Sequence, residues 1–208
     1  MITWRCNMTI RRESTKVTKI TDKGKFICGY YQFAVYLHCN NSLNPLFDMT
    51  KITEQDKRFM REAIRLANES VNNGGGPFGA VIVKDGEIIA GMSNSVTKDC
   101  DPTAHAEVNT IREACRKLGT FDLSGCVVYT SCEPCPMCLG ALYWAHISKI
   151  YYGNTREDAR NIDFADNFIY DELARPMDER TVPIIPLMRD EALQTFRLWT
   201  EKEDKTEY

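Results

Sequence analysis

His105-Ala106-Glu107 and Pro134-Cys135-Pro136-Met137-Cys138 are the residues of this chain best suited to chemistry, with 26 residues separating Glu107 from Pro134. Three of these side chains are zinc ligands by type, and one is a carboxylate. A tetrahedral zinc held by His105, Cys135 and Cys138 keeps its fourth position open for water, the property that separates a catalytic zinc from a structural one. Zinc lowers the pKa of bound water to about 7, so hydroxide is available near neutral pH. Glu107, two residues from the His, is placed to take a proton from that water and deliver it to a substrate. A lone His or a lone Cys pair is more often core filling. Here the two elements occur together and in order. The competing reading is a closed Cys3His cage, with Cys132 as fourth ligand. Spacing argues against it. Cys135 and Cys138 are expected at i and i+3 on the first turn of a helix that Pro134 begins, so they share a face. Cys132 ends the preceding strand, Val127-Val128-Tyr129-Thr130, and need not point the same way.

The elements around these residues must bring them together. His105 and Glu107 open a helix running to about Leu118, after the turn Asp101-Pro102-Thr103. A second helix runs from about Pro134 to Ala145. Both N-termini are expected to face the metal, where unpaired N–H groups and positive dipole ends favour thiolate and hydroxide. In mid-helix, His and Glu at i and i+2 would splay apart; on a first turn pointing end-on at the site, both reach it. Glu133 reads as an acidic residue just before a helix start.

Upstream, Thr53-Glu54-Gln55-Asp56 is a helix start with an N-cap Thr. Phe59, Met60, Ala63, Ile64, Ala67 and Val71 then recur at helical spacing. Asn73-Gly74-Gly75-Gly76-Pro77 ends that helix. Residues 78–84 and 87–91 form a hairpin around Asp85-Gly86. Downstream come a strand at 149–153, a helical or irregular stretch to Leu173, and an edge strand over Val182–Leu187, where Pro is tolerated. A last helix runs from Asp190 to about Lys202. This alternation predicts an α/β chain, a three-layer α/β/α fold with a mixed five-stranded sheet.

The 208 residues are 43% hydrophobic and 26% charged, an ordinary composition for a globular domain with extensions. Three of the nine cysteines cluster in the metal motif. There is no secretory pattern, and no apolar run approaches the roughly 20 residues of a membrane span. Cys100, Cys115 and Cys126 are therefore read as reduced thiols and the chain as cytoplasmic. Residues 1–48 hold seven Lys/Arg against three Asp/Glu, a formal +4, whereas 49–208 hold 19 against 26, a formal −7. An acidic body is a poor start for binding a polyanion, so nucleic acid is not an expected partner. Within 1–48, Lys25 to Leu37 is strand-like but has no second strand to pair with in that segment. A clear pattern begins at Met49. Residues 1–48 are thus read as an extension outside the functional protein, or else as a targeting arm or an added interaction segment. Glu13 and Asp22 speak against a transit peptide. Residues 49–208 are read as a zinc-dependent catalytic domain with a C-terminal arm.

The motif H-x-E with P-C-x-x-C is the signature of zinc deaminases. Further stretches narrow the resemblance: residues 75–83, Asp101 to Glu107, residues 129–141, Tyr143-Trp144-Ala145 and Phe168-Ile169-Tyr170. With these, residues 53–208 resemble guanine deaminases of the bacterial, cytidine-deaminase-like type. The resemblance implies a cytidine-deaminase-like fold, Zn2+ as cofactor, and hydrolytic deamination of guanine to xanthine and ammonia in purine catabolism. It implies that Asn94, Asp166 and Tyr208 contact the base, that Phe78 stacks on it and that Trp144 lines the pocket. It also implies a homodimer that exchanges its C-terminal segment, so that Tyr208 completes the neighbour's site. Plainer readings stand beside these. Asn94 would be a turn residue, Phe78 core, Asp166 a helix cap and Tyr208 a frayed end. Rival activities are guanosine deamination and tRNA adenosine deamination. A zinc-stabilised interaction module is the non-enzymatic rival, but it leaves Glu107 unexplained.

Deleting residues 1–48 is expected to leave a soluble protein with its zinc and activity. Metal content and turnover of the truncated chain test this, and an insoluble product would place the segment inside the fold.

Overall fold

The computed structural model describes residues 9–11, 27–28, 34–36, 51–164 and 166–207. The chain divides into two units, Met1–Lys51 and Ile52–Tyr208. In the first, β1 (Thr9–Arg11), β2 (Ile27–Cys28) and β3 (Ala34–Tyr36) form an antiparallel sheet in the order β1-β3-β2. The single unpaired strand expected over residues 25–37 is thereby corrected. The segment contributes two strands, and β3 pairs on both edges. A lone strand would leave its backbone groups without partners, and this pairing supplies them.

The second unit begins with α1 (Glu54–Asn72). Thr53 caps it through a reciprocal box: its Oγ1 accepts from the Asp56 amide at 3.1 Å, and Asp56 Oδ2 accepts from the Thr53 amide at 2.7 Å. The other Asp56 oxygen accepts from the Tyr129 hydroxyl at 2.6 Å, which ties the helix start to the sheet. Burial works to raise the Asp56 carboxyl, but the bonds from Thr53 and Tyr129 outweigh it and hold the group below the usual carboxylate range.

Phe59, Ala63, Ala67 and Ser70 form the buried face of α1. Ile64 and Val71, expected in that stripe, are exposed. Beyond Phe59 the buried face is narrow and built of small residues because α1 lies hard against the sheet. A Cβ added to Gly79 would sit 2.4 Å from the Ala63 carbonyl oxygen and 2.5 Å from the Ala67 nitrogen.

The sheet follows. β4 (Gly79–Lys84) and β5 (Glu87–Ser93) form a hairpin whose Asp85 and Gly86 have φ of 50° and 82°. That double positive φ is what a two-residue type I′ turn requires. Then come α2 (Val96–Asp99), α3 (Ala106–Leu118), β6 (Val127–Cys132), α4 (Pro136–Trp144) and β7 (Lys149–Asn154). The strand order is β5-β4-β6-β7; β4 is antiparallel to both neighbours, and β6 and β7 are parallel. Parallel neighbours need a crossover, and α4 supplies it.

Alternation along the strands sorts the core into two layers. Val81, Val83 and Tyr129 pack with Phe59 and Ala63 of α1. Ile82 and Val128 pack on the other face with Ala114 of α3 and Leu142 of α4. The result is the expected three-layer α/β/α arrangement with a mixed sheet.

The described sheet of this unit has four strands rather than the expected five. Val182–Leu187 is irregular and exposed. Pro183 and Pro186 lie three apart, so in an extended strand they would remove a donor from each edge. The rest of the C-terminal region is α5 (Arg156–Arg160), α6 (Asn167–Ala174), a 3-10 turn at Met177–Glu179 and α7 (Arg189–Glu201).

Gly79→Ala is expected to cost about 1–3 kcal/mol, because the new methyl meets backbone atoms that cannot swing away. A denaturant melt should show the midpoint falling with an unchanged slope.

Candidate metal centre and cavity

His105 is the N-cap of α3, with φ −70° and ψ 156°, and Cys135 is the N-cap of α4, with φ −64° and ψ 167°. The second helix begins at Pro136, two residues later than the sequence suggests. Pro136 takes the first helical position, where a missing N–H costs nothing. Cys135 therefore stands just outside the helix. Its sulfur accepts from the Cys138 amide at 3.5 Å. Glu107 lies in the first turn of α3.

The ligand atoms of His105, Cys135 and Cys138 all lie within 4.8 Å of one another. His105 Nδ1 is 3.6 Å from the Cys135 sulfur and 3.5 Å from the Cys138 sulfur. A tetrahedron with Zn–S near 2.3 Å and Zn–N near 2.0–2.1 Å has an S···N edge of about 3.5 Å. The group thus fits Zn2+ in both donor type and spacing. Cys138 hydrogen-bonds Cys135 and, with His105 assisting against burial, pulls its thiol well down. That bond and burial push Cys138 well up. The bond to Cys135 also raises His105. Two thiolates at this separation repel each other, and a divalent cation between them removes the conflict.

Cys132 does not join the group. Its thiol donates to the Thr155 carbonyl at 3.7 Å, and burial pushes it up to about 11. The sulfur has turned from the His–Cys–Cys cluster towards the chain entering α5.

Glu107 is 5% exposed. Burial raises its carboxyl, opposed by hydrogen bonds from Thr130 and other groups. Thr130 Oγ1 donates to Glu107 Oε1 at 2.8 Å. Sequence reasoning passes over Thr130, because a threonine in a strand is expected on propensity alone.

Beside these residues lies a cavity of about 600 Å³. His105, Glu107 and Cys135 line it, with Phe78, Asn94 and Asp166. Phe78 meets Phe164 edge-on, ring centroids 4.9 Å apart, so it stands in an aromatic wall rather than in the main core. The Asn94 amide donates to the Phe78 carbonyl at 3.0 Å, continuing the hairpin ladder by one residue. Asn109 of α3 braces this loop, its side-chain nitrogen reaching the Ser93 carbonyl, Ser95 Oγ and the Ala104 carbonyl at 3.1, 2.9 and 3.2 Å. Asp166 is the N-cap of α6 by position but makes no side-chain cap bond. Its Oδ1 is buried without a hydrogen-bond partner. Burial raises this carboxyl above the usual range.

One expected pocket residue falls elsewhere. Trp144 ends α4, roughly 13 Å along the helix from Cys135. It is 69% exposed and does not line the cavity. Tyr208 lies outside the described residues. Conversely, Phe164, Glu133 and Arg156 line the cavity without having been singled out as pocket residues. Glu133 serves α5 rather than α4: its Oε2 accepts from the Arg156 amide at 3.2 Å. Arg156 in turn lies over the Tyr170 ring, 5.0 Å from its centroid, and the Tyr170 hydroxyl donates to the Pro134 carbonyl at 3.0 Å. These contacts fasten α5 and α6 to the loop that carries Cys135. They join residues 14 to 36 apart in sequence, a separation at which no local pattern announces them.

A family model described as the cytidine and deoxycytidylate deaminase zinc-binding region matches residues 53–154. The guanine deaminase of Bacillus subtilis (strain 168) is 52% identical over 151 residues, covering 72% of this chain and 97% of that protein. An X-ray structure of guanine deaminase from Bacillus subtilis matches with a TM-score of 0.71 at 52% identity, covering 73% of this chain and 98% of that one. A tRNA-specific adenosine deaminase of Aquifex aeolicus (strain VF5) is 48% identical over 94 residues, which are 45% of this chain and 62% of that protein.

Cys135→Ser and Cys138→Ser are each expected to lose bound zinc, whereas Cys132→Ser retains about one per chain. Elemental analysis of the purified variants decides this; zinc lost from Cys132→Ser as well would mean a closed four-ligand site.

Proposed function

The chain belongs to the guanine deaminase family, and from that premise we propose that it hydrolyses guanine to xanthine and ammonia. Its sheet and flanking helices are of the cytidine-deaminase-like type. The observation that carries the proposal is a buried carboxyl, Glu107, beside a His–Cys–Cys group at a cavity lined by a second, unpartnered carboxylate oxygen on Asp166.

We assign the metal to His105, Cys135 and Cys138. Bound zinc supplies Lewis-acid activation of water at neutral pH. Glu107 takes the proton of the attacking water, which adds at C2 of the purine. It passes that proton to a ring nitrogen, then takes the remaining proton from the hydroxyl now on C2 and gives it to the amine, so the C2–N bond breaks, the exocyclic nitrogen leaves as ammonia and the water oxygen stays on C2. Burial keeps bulk water from competing for these transfers.

Asp166 suits the donor edge of guanine. An unpaired buried acceptor costs about 1–3 kcal/mol, and a purine N–H removes that cost on binding. Asn94 offers both a donor and an acceptor for the rest of the base, and Phe78 covers a ring face. The formal −7 of residues 49–208 disfavours an RNA substrate.

The C-terminal arm supports the reading of an exchanged homodimer. Beyond Ala159 no described residue is buried. Ile185 and Leu187 are 79% and 82% exposed, and Phe196, Leu198 and Val182 are exposed as well. An apolar surface of this extent fits contact with a second copy of the chain, whose site Tyr208 would then complete. The catalytic body is residues 49–208, with 1–48 an extension. A cytoplasmic location suits a site that needs its thiols reduced. No helix among the described residues is long and apolar enough to cross a membrane.

Glu107→Gln should keep zinc and fold while losing at least about 10²–10⁴-fold in turnover, since it removes the proton carrier and no ligand. Ammonia release from guanine is the assay, and activity within about tenfold of the parent would remove Glu107 from this role.

Removing Thr206 to Tyr208 should abolish guanine turnover with zinc content intact. Co-expressing that chain with the Glu107→Gln chain should restore activity, because one partner brings an intact Glu107 and the other brings Tyr208. No rescue in the mixed dimer would mean that the tail serves its own chain.

A further inference from the structure

The zinc motif accounts for Glu107 but not for what orients it. Thr130 lies near the end of β6, on the face that Val128 turns towards α3 and α4. It stands opposite Ala80 on β4 and is 1% exposed. The neighbouring positions on this face, Ile82 and Val128, are aliphatic and pack with Leu142 of α4. A valine would fill the same space and suit the strand better, since it brings no hydroxyl that must be satisfied. The hydroxyl is spent on one target, Glu107 Oε1, at 2.8 Å.

The strand that holds Thr130 is itself held. Gly79, on β4, donates its amide to Ser131 Oγ at 3.0 Å. From the helix side, Thr110 Oγ1 lies 2.6 Å from the Ala106 carbonyl and 3.3 Å from the Ala80 carbonyl. α3 and the end of β6 are therefore pinned to adjacent residues of β4, Ala80 and Gly79. The Thr130–Glu107 bond closes that frame onto the carboxyl.

We propose that Thr130 is a positioning residue for the proton transfers, its hydroxyl gripping Oε1 so that the carboxyl keeps one orientation and Oε2 handles the proton. This rests on the reading of Glu107 as the proton carrier. The physical need is plain: the terminal torsion of a glutamate is broad, so the backbone and rotamer alone do not fix the carboxyl plane. Proton transfer depends on that plane, and misplacement by 1 Å can cost about 10²-fold in rate. Thr130 is itself neither a cavity-lining residue nor a member of the metal-binding group, so its effect passes through Glu107.

The test compares Thr130→Val, Thr130→Ala and Thr130→Ser, with kcat normalised to zinc content. Val and Ala should lower kcat roughly 10–100-fold with KM for guanine within about twofold, and Ser, which keeps the hydroxyl, should stay close to the parent. A purely structural threonine would instead lower melting temperature or zinc occupancy and leave kcat per zinc unchanged. That outcome, or a Ser variant as slow as Val, overturns the proposal. A crystal structure of Thr130→Val supplies a readout that needs no turnover. The Glu107 carboxyl should be rotated or split between orientations, and an unmoved carboxyl overturns the proposal even if Val fails kinetically. Absence of ammonia release from guanine by the parent protein would refute the guanine reading itself, and the crystal comparison still decides the role of Thr130.

Discussion

An imidazole, two thiols and a carboxyl can meet in this chain only because α3 and α4 begin at the same place. His105 and Cys135 are both N-caps, in extended backbone conformation, so each projects from a helix end rather than from a helix flank. Glu107 and Cys138 follow in the first turns. A shift of either helix start by one residue would rotate these side chains by about 100° and scatter the group. The arrangement also supplies charge. Two sets of unpaired N–H groups, each carrying roughly half a positive charge by the dipole argument, face a cluster whose function requires thiolates. The local sequence serves this requirement through Pro136, which begins α4 immediately after Cys135 instead of at it.

The rest of the fold holds those two starts still. β6 ends in the loop that carries Cys135, and β4 sits between β5 and β6 with α1 on one face and α3 on the other. The close approach at Gly79 and the Asp56–Tyr129 bond fix α1 to the sheet. Asn109 fixes the loop that presents Asn94, and the Glu133–Arg156–Tyr170 contacts fix the segment that presents Asp166. Both sets share anchors with the metal-binding side: Tyr170 bonds Pro134 beside Cys135, and Asn109 lies on the helix that carries Glu107.

Much of this was legible from residue order, and the reasons are local. Capping residues, the Asp85-Gly86 turn and helical periodicity act over a few residues, so α1, the hairpin, α3 and α7 appear where expected. The His–Ala–Glu and Pro–Cys–x–x–Cys spacing marks the metal group for the same reason. What escaped is long-range. Thr130 reaches Glu107 across 23 residues, and Glu133 reaches Arg156 across 23 more. Val182–Leu187 looked like a strand because it is apolar, but its prolines deny it a ladder and it lies exposed. Ile64 and Val71 fit the helical period, yet the narrow face of α1 that meets the sheet leaves them outside. Trp144 belongs to a motif-bearing helix, but the helix carries it away from the cavity.

In a site held by His105, Cys135 and Cys138 alone, Cys132 takes no part and the fourth position is available to water. Zinc K-edge X-ray absorption on the purified full chain reads the ligand set without recourse to mutation or turnover. The expected result is two sulfurs near 2.3 Å and two nitrogen or oxygen atoms near 2.0–2.1 Å. Three sulfurs and one nitrogen would contradict it, because Cys132 would then have closed the site.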